Sequence, residues 1–94
     1  MIEEKEKIIK LLSVLFPKAK IYLFGSRARG KHSEISDIDI AIDNEEKLPF
    51  KEKMQAINIM EALNIPQKID LVDFHDVDED FQKIILKEGI LWKD

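Results

Sequence analysis

Two aspartates stand two positions apart in a segment where charged and apolar residues alternate. Residues 37–42 read Asp-Ile-Asp-Ile-Ala-Ile, and in a β-strand this pattern places Asp37 and Asp39 on the same face. Like charges this close raise each other's proton affinity, so the pair costs free energy unless a cation lies between the two carboxylates. Carboxylate oxygens suit Mg²⁺, with Mn²⁺ as the alternative. The pair therefore predicts a divalent-metal site on an open strand face.

A glycine-flanked basic loop comes shortly before this strand. The apolar run at residues 21–24 predicts a buried strand that ends at Gly25. Glycine lets backbone N–H groups approach an anion closely, and a helix opening at Ser26 would direct its positive end toward that anion. Arg27 and Arg29 add positive charge nearby. The loop therefore favours binding of substrate phosphates beside the metal.

The same loop comes close to a P-loop sequence, with Gly25, Gly30 and Lys31 at the required spacing. His32 stands where a P-loop has the serine or threonine that binds the metal ion. The predicted strand also follows too soon for the long helix that a P-loop precedes. We therefore disfavour a P-loop, and we interpret His32 as a solvated surface residue without a part in the chemistry.

A third carboxylate is expected on the next predicted strand, where Asp70 and Asp73 are the candidates. If Ile69 and Leu71 face the helices, Asp70 projects to the same open face as the first two aspartates. Asp73 has the opposite parity, and Asp43 lies at a strand end, so we interpret both as surface acids. Asp70 is therefore the predicted third member of the site.

The hydrophobic pattern predicts the elements that carry this site. Helices are expected at residues 3–16 and 50–63, and strands at 20–24, 37–42, 68–74 and 90–92. We expect an α/β (α+β) domain with a mixed sheet of three to four strands and helices mainly on one face. The other face would then be free for the site.

A last helix is predicted between the third strand and the final one. Asp76 and Glu79 have the spacing of a capping box, and the helix is expected to continue to Lys87. Three apolar residues of this helix should face the core, and a glycine should cap its end: Phe81, Ile84, Ile85 and Gly89.

Length and composition limit the function classes. The 94 residues predict one domain, residues 1–94, and a core small enough that a partner could add considerable burial. The net charge of −4 argues against a nucleic-acid partner, which needs a basic face. The absence of cysteine is compatible with a reducing compartment, and no long apolar run or signal peptide is found. We expect a cytoplasmic protein without a membrane partner.

The spacing of these residues resembles a known signature. Gly25-Ser26 followed by Ser36-Asp37-Ile38-Asp39 is similar to the motif of the nucleotidyltransferase superfamily that includes DNA polymerase beta. The short chain resembles its minimal nucleotidyltransferase branch, the MNT antitoxins that are paired with HEPN-domain proteins in toxin–antitoxin modules. The resemblance implies transfer of a nucleoside monophosphate, AMP from ATP, to a hydroxyl group with release of pyrophosphate. It also implies the acceptor, a tyrosine of a HEPN toxin, and hence an antitoxin role.

The resemblance also assigns roles to individual residues. The residues implied in catalysis, and in binding two Mg²⁺ ions, are Asp37, Asp39 and Asp70. The residues implied in nucleotide binding are Gly25, Ser26, Arg27, Arg29 and Ser36.

Two other functions remain open. One is a non-catalytic antitoxin or nucleotide-binding module that neutralises its partner by direct binding. The intact set of glycine, serine and three aspartates argues against it, because a decayed site would be expected to lack a carboxylate. The other is a standalone transferase that modifies a small-molecule hydroxyl, for which the sequence shows no additional acceptor-binding segment.

Overall fold

Helices and strands alternate along the chain in the computed structural model, which describes residues 4–31, 33 and 35–94. The elements are α1 (Lys5–Leu15), β1 (Lys20–Phe24), α2 (Gly25–Ala28), β2 (Ile38–Asp43), α3 (Phe50–Ala62), β3 (Ile69–Asp73), a 3₁₀ turn (Phe74–Asp76), α4 (Glu79–Glu88) and β4 (Ile90–Lys93). The strand predictions agree with these bounds to within one residue at each end. The predicted helices agree to within two residues at the ends that the structure describes.

The four strands form one mixed sheet in the order β3-β2-β1-β4. β1 is antiparallel to both β2 and β4, whereas β2 and β3 are parallel. A parallel pair needs a crossover connection, and α3 supplies it. The prediction of a mixed sheet of three to four strands is confirmed, and β4 forms one edge of this sheet.

The main hydrophobic core lies between one face of the sheet and helices α1 and α3. The strands contribute every second residue to this core, including Ile21 and Leu23 from β1 and Ile38, Ile40 and Ile42 from β2. These five side chains are at most 5% exposed. The alternation leaves the intervening residues of β2, Asp39 and Ala41 among them, on the opposite face.

That opposite face is only partly open, which corrects the expectation of a free face. A second buried cluster covers it, formed by Phe24 of β1, Ala41 of β2, Phe74 of the 3₁₀ turn and Ile85 of α4. The fully buried side chain of Ile85 packs in this cluster, so helix α4 covers part of this face. The site residues therefore share a face with α4, where Asp37 and Asp70 remain exposed and Asp39 is half-buried.

Helix α4 also differs from the sequence prediction in its cap and in its apolar face. Its N-cap is Asp78, which accepts a hydrogen bond from the Phe81 backbone N–H at 2.8 Å, so the predicted capping box at Asp76 is wrong. Ile84 is 50% exposed, so it does not face the core as predicted. Gly89 does cap the helix end, where its N–H donates to the Ile85 carbonyl at 2.8 Å.

Within the part of the chain that the structure describes, no helix combines the length and apolar character needed to span a membrane.

Candidate active site

Asp39 and Asp70 lie side by side at neighbouring positions of the parallel strands β2 and β3. The register pairs Asp39 with Asp70 on one side and with Phe24 of β1 on the other. Asp37 precedes the first residue of β2 and shares the parity of Asp39. The strand geometry thus brings together the three aspartates that the sequence predicted.

Electrostatics shows that these carboxylates interact. Burial raises the pKa of Asp39 above the usual aspartate range, and the charges of Asp70 and Asp37 raise it further. The Arg29 guanidinium opposes this effect and lowers the pKa of Asp39. Asp39 is half-buried, whereas Asp37 and Asp70 are exposed. Negative charge is therefore concentrated around Asp39, where a cation would relieve the repulsion.

Gly25 makes the close approach between the loop and Asp39 sterically feasible. Its φ of +75° lies in the left-handed region that favours glycine. A Cβ atom at this position would overlap the Asp39 Oδ2 atom, so a side chain would displace the carboxylate. The backbone that begins α2 thus lies directly against the carboxylate of Asp39.

Helix α2 is a single turn that carries Ser26, Arg27 and the start of the basic loop. Its end is fixed by a hydrogen bond from the Lys31 N–H to the Ser26 carbonyl at 2.9 Å. Arg29 and Lys31 are exposed, whereas Ser26 is half-buried. The residues that the structure describes between Lys31 and Ile38 are not helical, so the loop lacks the architecture of a P-loop.

Arg27 and Ser36 take part in the structure of the loop itself. The Arg27 side chain donates to the carbonyl oxygen of Ser36, and the Ser36 hydroxyl accepts a hydrogen bond from the Ser33 N–H at 2.9 Å. These contacts place Arg27 against the backbone just before Asp37. His32 lies outside the described residues.

The donor set fits a divalent cation of the kind predicted. Among the described residues, no group of three or more His, Cys, Asp or Glu is already arranged to hold a metal ion. Mg²⁺, however, is commonly bound by one or two carboxylates with substrate phosphates and water completing the shell. Asp39, with its raised pKa, and its register partner Asp70 provide such a pair.

Asp73 is not a surface acid, which corrects the sequence interpretation. Its side chain is on the core face with Ile69 and Leu71, and the residue is only 2% exposed. Its carboxylate accepts hydrogen bonds from the backbone N–H groups of Leu48 at 2.8 Å and His75 at 3.1 Å. Asp73 therefore joins the end of β3 to the segment that leads into α3.

Asp43 is also held by partners rather than free at the surface. One of its carboxylate oxygens contacts His75 Nε2 and accepts a hydrogen bond from the Glu45 N–H. Sequence reasoning missed this His75 contact, because no pattern links two residues so far apart in the chain. Asp43 lies at the end of β2 away from Asp39, so it belongs to a separate structural cluster.

A family comparison agrees with this geometry. The family model described as Polymerase beta, Nucleotidyltransferase matches residues 6–93. The chain belongs to this nucleotidyltransferase family. The match confirms the resemblance based on Gly25-Ser26 and Ser36-Asp37-Ile38-Asp39, and it covers all of β1, α2 and β2.

Similar proteins match this chain over most of its length. The Haemophilus influenzae protein named "Probable protein adenylyltransferase MntA" is 35% identical over 85 residues, which cover 90% of this chain and 75% of that protein. A crystal structure described as a toxin–antitoxin with AMP-PNP contains a chain that is 32% identical, with a TM-score of 0.77, over 94% of this chain and 71% of that one.

A further nucleotidyltransferase-fold match comes from a Shewanella oneidensis complex. It is described as a tri-AMPylated HEPN toxin in complex with an MNT antitoxin. The matched chain is 30% identical with a TM-score of 0.71, over 95% of this chain and 68% of that one. The four-stranded mixed sheet described above is therefore the fold of this family.

Proposed function

We propose that this protein transfers AMP from ATP to a tyrosine hydroxyl of a HEPN-domain partner and thereby acts as its antitoxin. The observation that carries the proposal is the position of Asp39, which lies against Gly25, beside Asp70 and under the influence of Asp37. A carboxylate cluster that abuts a glycine-serine turn is suited to hold a triphosphate by its phosphates and cations. The relatives named as adenylyltransferases support AMP as the transferred group.

The loop would bind the triphosphate. The Gly25 backbone allows close approach to phosphate oxygens, and the Ser26 hydroxyl can donate a hydrogen bond to one of them. Arg29 is exposed and close enough to Asp39 to lower its pKa, so its guanidinium lies where it can oppose the negative charge of both the cluster and the phosphates. These contacts would orient the α-phosphate toward the carboxylates.

The carboxylates would act on the acceptor. When Mg²⁺ ions are bound by Asp37, Asp39 and Asp70, they would neutralise charge on the phosphates and on the attacking oxygen. The tyrosine oxygen forms a bond to the α-phosphorus, the bond from that phosphorus to the β-phosphate bridge breaks, and pyrophosphate leaves. Asp70, which is exposed and on the neighbouring strand, would accept the proton that the hydroxyl gives up.

The acceptor proposal is supported by the Shewanella oneidensis complex, in which a HEPN toxin is AMPylated and bound to an MNT antitoxin. ATP labelled at the α-phosphate should be incubated with this protein, Mg²⁺ and the protein encoded by the neighbouring gene. We expect label on the partner, and mass spectrometry should place one AMP or more on tyrosine. Label on no protein, with ATP unconsumed, would contradict the proposal.

The same reaction without the partner protein tests whether the partner is the acceptor of AMP. Omission of the partner should abolish incorporation of label into any product while pyrophosphate release also stops. If pyrophosphate is instead released at the same rate without the partner, the acceptor is not the partner protein.

A further inference from the structure

The peptide group between Ser36 and Asp37 is held by the side chain of Arg27. Arg27 Nε and Nη2 both donate to the Ser36 carbonyl oxygen, at 3.2 and 3.0 Å, and Nη2 also lies 3.4 Å from the Ser33 carbonyl oxygen. A guanidinium presents its N–H groups in a rigid planar fork. Two bonds to one oxygen therefore fix the position of that oxygen in the plane of the guanidinium as well as its distance.

The other side of Asp37 is also held. The Ile38 N–H donates to the Lys68 carbonyl oxygen at 2.8 Å, just before β3 begins. The backbone of Asp37 thus lies between two fixed peptide groups, one bonded to Arg27 of α2 and the other to the chain that leads into Asp70. Any shift in either contact would move Asp37 relative to the other two carboxylates.

Asp37 needs this support more than its neighbours do. Asp39 and Asp70 belong to strands whose register fixes them opposite each other. Asp37 precedes β2 and is exposed, so no strand pairing holds its own backbone in the ladder. The position of Asp37 therefore depends on the loop before it, where the Ser33 N–H also donates to the Ser36 hydroxyl at 2.9 Å.

We propose that Arg27 is a positioning residue that places Asp37 next to Asp39, rather than a ligand of the nucleotide phosphates. This reassigns the role that sequence reasoning gave to Arg27 and leaves Arg29 as the phosphate-facing arginine. The inference concerns the same site as the proposed function and rests on it for its catalytic consequence.

Two matched variants test the assignment. Arg27→Met and Arg29→Met each remove one positive charge from the same loop and keep a long unbranched side chain. We expect Arg27→Met to lower kcat for AMP transfer by about 10- to 100-fold, as a displaced catalytic group does, with a smaller loss of ATP affinity than Arg29→Met shows. Arg29→Met should instead weaken ATP binding, measured by calorimetry in the presence of Mg²⁺.

Arg27→Lys distinguishes geometry from charge. Lysine keeps the positive charge but cannot present the planar fork to the Ser36 carbonyl. We expect kcat to stay low in Arg27→Lys. Restoration of kcat by lysine would overturn the proposal, as would an Arg27→Met variant that loses as much ATP affinity as Arg29→Met does.

A spectroscopic measurement that does not depend on AMP transfer separates this inference from the proposed function. In the nucleotide-free protein, the backbone amide resonance of Asp37 should shift in Arg27→Met and stay in place in Arg29→Met. Arg27→Lys provides the same comparison should Arg27→Met fail to fold. An unmoved Asp37 resonance overturns the positioning role. If the resonance moves but the wild type transfers no AMP, the positioning role stands and the proposed function fails.

Discussion

Replacement of Asp39 by asparagine should make the nucleotide-free protein more stable at neutral pH. Burial and the charges of Asp70 and Asp37 raise the pKa of Asp39. An acid whose pKa is raised on folding favours the folded state while it is protonated, below the usual aspartate pKa of about 3.9. That contribution is lost as the pH rises through the raised pKa. At pH 7 the ionised Asp39 therefore opposes folding, and asparagine removes the charge.

The size of the effect follows from the strand register. Asp70 is the register partner of Asp39 on the adjacent parallel strand, and like charges on facing strand positions are destabilising. Favourable cross-strand pairs contribute about 0.2–1 kcal/mol, and we take a cost of similar size for this repulsive pair. With Asp37 on the same face, we expect Asp39→Asn to raise the free energy of unfolding by about 0.5–1.5 kcal/mol. For a domain of this size, that gain raises Tm by about 2–12 °C.

The assay is thermal unfolding followed by circular dichroism without metal, at pH 7 and at about pH 3, below the usual aspartate pKa. Asp39→Asn should unfold at a higher temperature than the wild type at pH 7, and this difference should disappear at the acidic pH. Asp73→Asn is the matched control, because it makes the same chemical change at a carboxylate that accepts hydrogen bonds from two backbone N–H groups. It should lower stability by about 1–3 kcal/mol.

At pH 7 the free energy of unfolding should rise in Asp39→Asn and fall in Asp73→Asn, and this difference tests the electrostatic reasoning. A lower Tm for Asp39→Asn at pH 7 would refute it, since the charge would then be stabilising. An equal gain at both pH values would also refute it, because the gain would not come from the ionised carboxylate.

Four further variants test the loop and the fold. Gly25→Ala should destabilise the protein by about 1–2 kcal/mol through its positive φ and abolish transfer by displacing Asp39. Ser26→Ala should weaken ATP binding by about 1–3 kcal/mol, whereas Lys31→Ala at an exposed position should change it little. Asp78→Ala removes the N-cap of α4 and should lower the free energy of unfolding by about 0.5–2 kcal/mol in denaturant titrations, without changing ATP affinity.

Each of these variants has a result that contradicts its rationale. If Gly25→Ala transfers AMP at the wild-type rate, the position of the Asp39 carboxylate does not require the absence of a Cβ atom at residue 25. A large loss of ATP affinity in Lys31→Ala, with none in Ser26→Ala, would favour a P-loop type of contact. Wild-type stability in Asp78→Ala would show that another group caps α4.

Much of the candidate site follows from the two-residue period of a β-strand. That period places Asp37 and Asp39 on one face, and the same period in β3 selects Asp70 over Asp73. What the period cannot give is register, which depends on how β2 and β3 pair in three dimensions. The alignment of Asp39 with Asp70 therefore needed the structure.

Asp73 shows where the sequence carried a signal that was misread. Its parity matches Ile69 and Leu71, so it had to point toward the helices if those residues did. An acid on a core face is buried only with hydrogen-bond donors, and the Leu48 N–H supplies one from a segment 25 positions away. Such a donor has no local sequence pattern.

The contacts of Arg27 and the partial cover of the sheet by α4 also could not be predicted from the sequence. Two arginines in a basic loop are equivalent by composition, and the contacts of Arg27 to the Ser36 carbonyl, with the proximity of Arg29 to Asp39, separate them in the structure. The periodicity of α4 identified Ile85 as apolar but not the face of the sheet on which it would pack.

The most direct test of the proposed activity measures AMP transfer and partner binding together for Asp39→Asn. We predict that Asp39→Asn still binds the HEPN-domain partner and loses transfer from labelled ATP by about 1,000-fold or more, because it removes a catalytic charge. Glu52→Gln, the same chemical change at an exposed position of α3, should transfer label as the wild type does. If Asp39→Asn labels the partner at the wild-type rate, the site assignment fails. If Asp39→Asn silences the partner as well as the wild type does while transferring nothing, the catalytic basis of the antitoxin role is contradicted.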